Sequence, residues 1–410
     1  MSSRQRYDVV VFGATSFVGQ ILARYLCDEF GVDRALRWAA AGRSLARLES
    51  LRDSLGPAAR SLQLLTADAA DADALGTLCS RARVIVSTVG PYALHGEPLV
   101  RTCVETGTDY CDLTGEVQWL RRMIATYETQ ARSSGARIVN CCGFDSIPSD
   151  LGVHFLQGEA RRRFGQVCTN VKMRVRSLRG GFSGGTVASL LNVVKEIAAD
   201  PGLRRELADP YSICPPGRTP RVRQPDVKFA EYDADFDAWV GPFLMSAINT
   251  RVVHRTNALT QNAYGADFRY DEATLTGRGL RGQLNAAALG AGLGAFMLAG
   301  AIGPARRALE RFVLPAPGEG PTPEAQRKGG FDLRFFGRTA GRQTLRARVT
   351  GDRDPGYGST AKMLGQAAAC LALDVPRQAA GGFWTPASLL GDRLLPRLRE
   401  HAGMTVELLD

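Results

Sequence analysis

Histidine is scarce in this chain: His95, His154, His254 and His401 are the four among 410 residues. Nine cysteines are present, but none shows metal-ligand spacing, so a metal centre is not expected. No Ser-His-Asp order and no paired-carboxylate spacing marks a hydrolase. The cysteine count is odd, and Cys141 and Cys142 are adjacent at the end of a strand pattern, where neighbouring side chains point to opposite faces. Buried free thiols in a reducing cytosol are the expectation, and no signal peptide precedes the first strand. Lys and Arg exceed Asp and Glu by 51 − 41 = +10. Apart from the stretches 161–163 and 218–223, however, the arginines are scattered. This reads as a solvated basic surface, not a nucleic-acid tract. There is no internal repeat.

What the chain does have starts at once. Tyr7-Asp8-Val9-Val10-Val11-Phe12 is a largely apolar run that stops at Gly13, and Ile21-Leu22-Ala23-Arg24-Tyr25-Leu26 continues with helical character. That pattern predicts a buried parallel strand, a tight turn and a helix N-terminus. The turn from Gly13 through Thr15, Ser16, Phe17 and Val18 to Gly19 aims backbone N–H groups and the positive end of a helix dipole at one point. A pyrophosphate suits that point. Gly13 permits the turn and Gly19 permits close helix packing, while Ser16 stands where the usual motif has its middle glycine.

A second apolar run, Leu36 to Gly42, ends in Arg43-Ser44. NAD-specific sites carry an acid here for the ribose hydroxyls; its absence, with a guanidinium and a hydroxyl in its place, points to the 2′-phosphate of NADPH. The alternative is a helix N-cap at Ser44 beside a solvated arginine. Strand patterns continue at Ser61–Asp68, Val84–Tyr92, Asp109–Leu113 and Ala136–Gly143, with helical patterns between them. Asp68 is expected near the adenine edge, and Thr88, Val89, Gly90 and Tyr92 near the nicotinamide half. Six strands alternating with helices predict an α/β, Rossmann-type doubly wound parallel sheet. Ligands of such sheets lie at the carboxyl ends of the strands, so 88–92, 112–115 and Gly143 to Ser146 should line one cleft.

The pattern changes after Pro148. Val171 to Arg176 alternates strictly, as do runs around Arg251–His254, Phe331–Phe336 and Leu345–Val349, which predicts a second, mixed α+β domain. Ser183-Gly184-Gly185-Thr186 precedes a helical run and is either an anion-binding turn or an N-cap. Leu284 to Gly303 is twenty residues without a charge, rich in Ala and Gly. It is a core or dimer-interface helix, a lipid-facing surface giving peripheral membrane contact, or a bilayer span. A homodimer and a position at the inner face of the plasma membrane therefore both stand as expectations.

Tyr92, Tyr110 and Asp145 fall on cleft-side loops and have the chemistry to deliver a proton. Tyr92 and Asp145 are the catalytic candidates; His95 also falls in a cleft loop. Together, Gly13–Gly19, Gly90–Val100, Tyr110–Glu116, Gly143–Asp150, Ser183–Thr186 and Gly356–Thr360 resemble the saccharopine dehydrogenase-like oxidoreductases, in order and over nearly the whole chain. Length and the segment from Gly320 to Phe331 are most similar to the trans-acting enoyl reductases of polyketide-derived, phthiocerol-type lipid biosynthesis. The resemblance implies NADPH-dependent reduction of a 2-enoyl thioester held by an acyl-carrier or polyketide synthase partner. It also implies a C-terminal segment that returns to the nucleotide domain, giving units 1–145, 146–355 and 356–410. The competing expectations are saccharopine-type amino-acid chemistry, which needs converging basic side chains in the cleft, and a non-catalytic NADPH-binding sensor or lipid-associated scaffold.

Overall fold

Two seven-stranded sheets organise the chain. The computed structural model describes residues 6–180, 184–217, 222–312 and 320–409. The first part alternates β1 (Tyr7–Phe12), α1 (Phe17–Phe30), β2 (Trp38–Gly42), α2 (Leu45–Leu55), β3 (Gln63–Thr66) and α3 (Ala72–Ser80). It continues with β4 (Ala82–Ser87), α4 (Tyr92–His95), α5 (Glu97–Thr106), β5 (Asp109–Asp112), α6 (Val117–Ser134) and β6 (Arg137–Val139). Next come α7 (Ile147–Phe164), β7 (Cys168–Arg179), α8 (Gly184–Ala199), α9 (Pro201–Ala208), β8 (Glu231–Asp233), β9 (Ala238–Pro242) and α10 (Ser246–Leu259). Then follow β10 (Arg269–Gly277), α11 (Gly279–Ala301), α12 (Gly303–Phe312), α13 (Pro323–Lys328), β11 (Gly330–Thr339) and β12 (Thr344–Gly351). The chain closes with α14 (Thr360–Leu373), β13 (Gly382–Trp384), α15 (Pro386–His401) and β14 (Met404–Leu409).

The first sheet runs β13-β6-β5-β4-β1-β2-β3 and is parallel throughout. Helices cover both faces, so its central strands are apolar without interruption: Val9, Val10 and Val11 are fully buried. The α/β, doubly wound expectation holds, with one strand more than the six that the apolar runs mark. The order reverses at β1, between β4 and β2, and this switch point opens the crevice in which such sheets bind ligands.

The second sheet runs β14-β12-β11-β7-β10-β9-β8; β7 and β10 are parallel and the remaining pairs antiparallel. Two expectations change. Arg251–His254 is not a strand but part of α10, whose residues 251–258 are all buried. A helix buried on every side shows no polar face, and its paired valines read locally as strand. The segment 356–410 also divides: α14 packs on α1 and the first sheet and β13 extends that sheet, whereas β14 pairs with β12 in the second. None of the nine cysteines is in a disulfide, and eight are buried. Ser183 and residues 218–221 lie outside the described residues, as do the side chains of 184–187.

Candidate active site

The glycine turn closes on itself. Gly13 sits at φ +86°, and a Cβ there would lie 2.7 Å from Val89 Cγ2, so only glycine fits. A Cβ at Gly19 would lie 2.2 Å from the Gly13 carbonyl oxygen, which is how closely α1 packs on the turn. Ser16, in place of the usual glycine, is the N-cap of α1: its Oγ accepts from the Gly19 amide at 3.0 Å. The same oxygen lies 3.0 Å from Thr88 Oγ1, which donates to the Gly13 carbonyl at 2.9 Å. This hydroxyl pair ties the turn to the loop after β4.

A cavity of about 1270 Å³ extends from this turn. Gly13, Thr15, Ser16, Phe17, Val18, Arg43, Asp68, Thr88, Val89, Gly90 and Tyr92 line it; Gly19, Ser44 and Gly143 do not. Gly19 acts behind the turn, as expected of it. Ser44 is instead the N-cap of α2, accepting from the Arg47 amide. Gly143 is wedged between Leu113 and Thr360. Arg47, one helical turn after Arg43, also lines the cavity; an i, i+4 basic pair at the start of α2 was the signal for it. Neither guanidinium has an ion-pair partner among the described residues. Asp68 accepts from the Ala70 amide at 2.9 Å.

At the ends of β4 and β5 the polar groups divide between scaffold and cleft. The Tyr92 hydroxyl donates to the Ser87 carbonyl at 2.9 Å and accepts from the Leu113 amide at 3.1 Å. Burial pushes its pKa well up, and both of its hydrogen-bonding roles are taken. Tyr110 is buried and donates to Asp112, whose carboxyl burial raises to about 6. Glu116, which ends the Tyr110–Glu116 motif and was given no role there, is fully buried and accepts from the Tyr92 and Ala93 amides at 2.8 and 2.9 Å and from Ser189 Oγ at 2.9 Å. It thereby locks the β4–α4 loop to α8. His95 is exposed at the rim of the cavity. His254 is buried and pushed down to about 3, chiefly by desolvation.

Asp145 differs from all of these. It lines the cavity from the β6–α7 connection, and its carboxyl has no hydrogen-bond partner among the described residues. Burial raises it to about 7. A Cβ added at Gly115 would lie 3.6 Å from its Oδ2 and 3.7 Å from Met245 Cε, so the three residues meet at one point. Beyond them the cavity continues as an apolar lobe walled by Leu190, Val193, Leu207, Leu244, Ile248 and Met297. Among the described residues the one basic side chain in this lobe is Arg251, whose guanidinium donates to the carbonyls of Ala247 and Leu207.

Comparison with known proteins agrees with this geometry. Residues 9–139 match the saccharopine dehydrogenase NADP binding domain family. A Mycobacterium tuberculosis protein named as a candidate trans-acting enoyl reductase is 41% identical, covering 98% of this chain and 97% of its own. The trans-acting enoyl reductase of Mycobacterium ulcerans is 40% identical over 97% of each chain. The chain belongs to the trans-acting enoyl reductase family. Among solved structures, apo saccharopine dehydrogenase (L-Glu forming) of Saccharomyces cerevisiae superposes with a TM-score of 0.54 at 14% identity, over 98% of this chain and 99% of that one. That likeness concerns the fold. The cofactor of this family member is NADPH, and its residues fit one: a helix N-terminus behind a turn that admits no Cβ, and two unpaired guanidiniums after β2.

Proposed function

We propose that the protein is an NADPH-dependent enoyl reductase acting on a 2-enoyl thioester delivered by a separate acyl-carrier or polyketide synthase protein. The observation that carries this reading is the apolar lobe continuous with the nucleotide crevice, with a single unpartnered carboxyl where the two meet. Gly13–Val18 would hold the pyrophosphate, and Arg43 and Arg47 the 2′-phosphate. Bound NADPH supplies a hydride, which an enoyl thioester takes at its β-carbon. The chain's own residues do the rest. Leu190, Val193, Leu244 and Ile248 exclude water from the lobe and hold the acyl chain. Asp145, protonated near neutral pH, delivers the proton from its carboxyl to the α-carbon. Tyr92 fixes the floor of the cleft through Ser87 and Leu113.

Saccharopine-type chemistry is disfavoured because a substrate with several carboxylates needs several cations. Among the described residues Arg251 is the one in the lobe, and backbone carbonyls occupy its terminal nitrogens. The term trans-acting in the relatives' names supports a substrate presented by another protein, and a lipid product accords with an apolar lobe. Nine cysteines without a disulfide support a cytoplasmic setting. We assign 1–145 and 356–403 to the nucleotide-binding unit and 146–355 with 404–410 to the acyl-binding unit. Purified protein given NADPH and a panel of enoyl thioesters tests the reading. Saturated product supports it; turnover of an amino-acid adduct alone, or NADPH binding with no turnover of any carrier-bound enoyl chain, overturns it.

A further inference from the structure

Ten large apolar side chains stand exposed among the described residues, and six of them gather on or against one helix. Leu280, Leu284, Leu298 and Ile302 share the outward face of α11 and its end, while Leu289 and Phe229 are partly exposed on the side that meets Gly241 and Gly290. Leu280, Leu284 and Leu298 are 71%, 60% and 64% exposed. A patch concentrated in this way marks an interaction surface, since scattered single leucines are ordinary. The inner side of α11 is occupied: Ala286 packs on Gly241 of β9, Gly290 on Phe229, and Gly300 on Leu191 and Val194 of α8. A helix held to the body along one side lies on a surface and does not cross it.

Charge selects the partner. From Ala273 to Leu309 the chain holds no Asp or Glu and four arginines: Arg278, Arg281, Arg306 and Arg307. They stand in pairs at the two ends of the helix. Arg278 reaches Asp237 at 2.8 Å, while Arg281 and Arg307 have no ion pair among the described residues. A second copy docked on this face would set arginine against arginine in either orientation, with no carboxylate on the helix to offset the repulsion. An anionic bilayer surface accepts both features, leucines below the headgroups and guanidiniums on the phosphates.

We propose that α11 and the start of α12 form a peripheral docking surface for anionic lipid. Met297, on the same helix, lines the apolar lobe, so the helix that rests on the lipid is also a wall of the acyl site. That link to substrate rests on the enoyl-reductase reading; the docking itself does not.

Co-sedimentation of the full chain with phosphatidylcholine vesicles, with and without phosphatidylglycerol, tests this. Binding should require phosphatidylglycerol and weaken as salt is raised. Leu284→Glu with Leu298→Glu should reduce vesicle binding about tenfold or more, while NADPH binding and turnover of a soluble short-chain enoyl thioester stay as in the parent. Arg281→Ala with Arg307→Ala should erase the preference for the anionic lipid. No binding by the parent, or equal binding by the glutamate variant, overturns the proposal. So does a dimer in light scattering that the glutamates dissociate, because a second copy is then the occupant. So does an acidic carrier protein that competes with vesicles for the same leucines. Vesicle binding without any enoyl turnover would strike the catalytic reading and leave the docking surface standing.

Discussion

Replacing Asp145 by asparagine separates proton delivery from every other duty of the cleft. The carboxyl is raised from 3.8 to about 7 by burial alone, with no charged neighbour to offset it. If it is the acid, the protonated fraction sets the rate: about ten elevenths at pH 6 and one eleventh at pH 8, so kcat/KM should fall roughly tenfold across that interval. Asp145→Asn should lose about 10²–10⁴ in turnover, the usual cost of removing a general acid, and its remaining activity should lack this limb. A second readout is independent of chemistry. Below the unfolded-state value near 3.8 both folded and unfolded chains are protonated and nothing is lost. Between that value and about 7 the unfolded carboxyl ionises while the folded one stays neutral, so stability falls as pH rises, and above 7 the loss is complete. Asparagine never ionises. The variant should therefore melt above the parent at pH 8 and alongside it near pH 4. A pH limb that persists in Asp145→Asn, with turnover unchanged, would refute the assignment and leave water as the proton source.

Arg43→Ala should weaken NADPH binding about tenfold or more and leave NADH nearly unaffected, since a charge-assisted phosphate contact is worth roughly 1.5–3 kcal/mol; Arg47→Ala should act in the same direction, and equal losses for both cofactors would remove these arginines from the 2′-phosphate site. Tyr92→Phe should cost about 1 kcal/mol in urea denaturation, because the part-buried Leu113 amide loses its acceptor and the Ser87 carbonyl its donor, and should lower turnover far less than Asp145→Asn. Glu116→Gln puts an amide NH₂ against the Tyr92 or Ala93 N–H; a stability loss of about 1–3 kcal/mol with a raised KM for the enoyl substrate is expected, and an unchanged KM would show that the tie to α8 does not shape the lobe.

The parallel sheet was legible because its central strands are buried and apolar, and the chain from Tyr7 to Val139 carries six strand-like runs. Its seventh strand was not. Gly382-Phe383-Trp384 is three residues long, and it pairs with β6 from more than 240 residues further along the chain, a long-range pairing with no local signature. The failure at α10 has the opposite cause. Arg255 is almost wholly buried, and its guanidinium donates to the carbonyls of Ile213 and Phe383. A core cation held by backbone oxygens breaks the polar-out rule on which helical periodicity depends.

The site divides along the same line. Residues whose geometry is local could be read from the chain: Gly13 for its φ of +86° and Gly19 for the close packing of α1 on the turn. Residues whose role is relational could be offered only as candidates, as Asp145 was, or were passed over, as Glu116 was. Glu116 and Asp145 are both acids on loops at the carboxyl edge of the first sheet, and nothing in their flanking sequence separates a brace from an acid. Only partners do. Glu116 receives three donors and is saturated as an acceptor brace, whereas Asp145 receives none and faces the cavity. Tyr92 and Asp145 part in the same way, the phenol spent on two backbone groups and the carboxyl spent on nothing. A proton donor needs a proton that no fixed bond holds, which is why the proposal rests on the unpartnered carboxyl of Asp145 and not on Tyr92, although the two looked equally apt in the sequence.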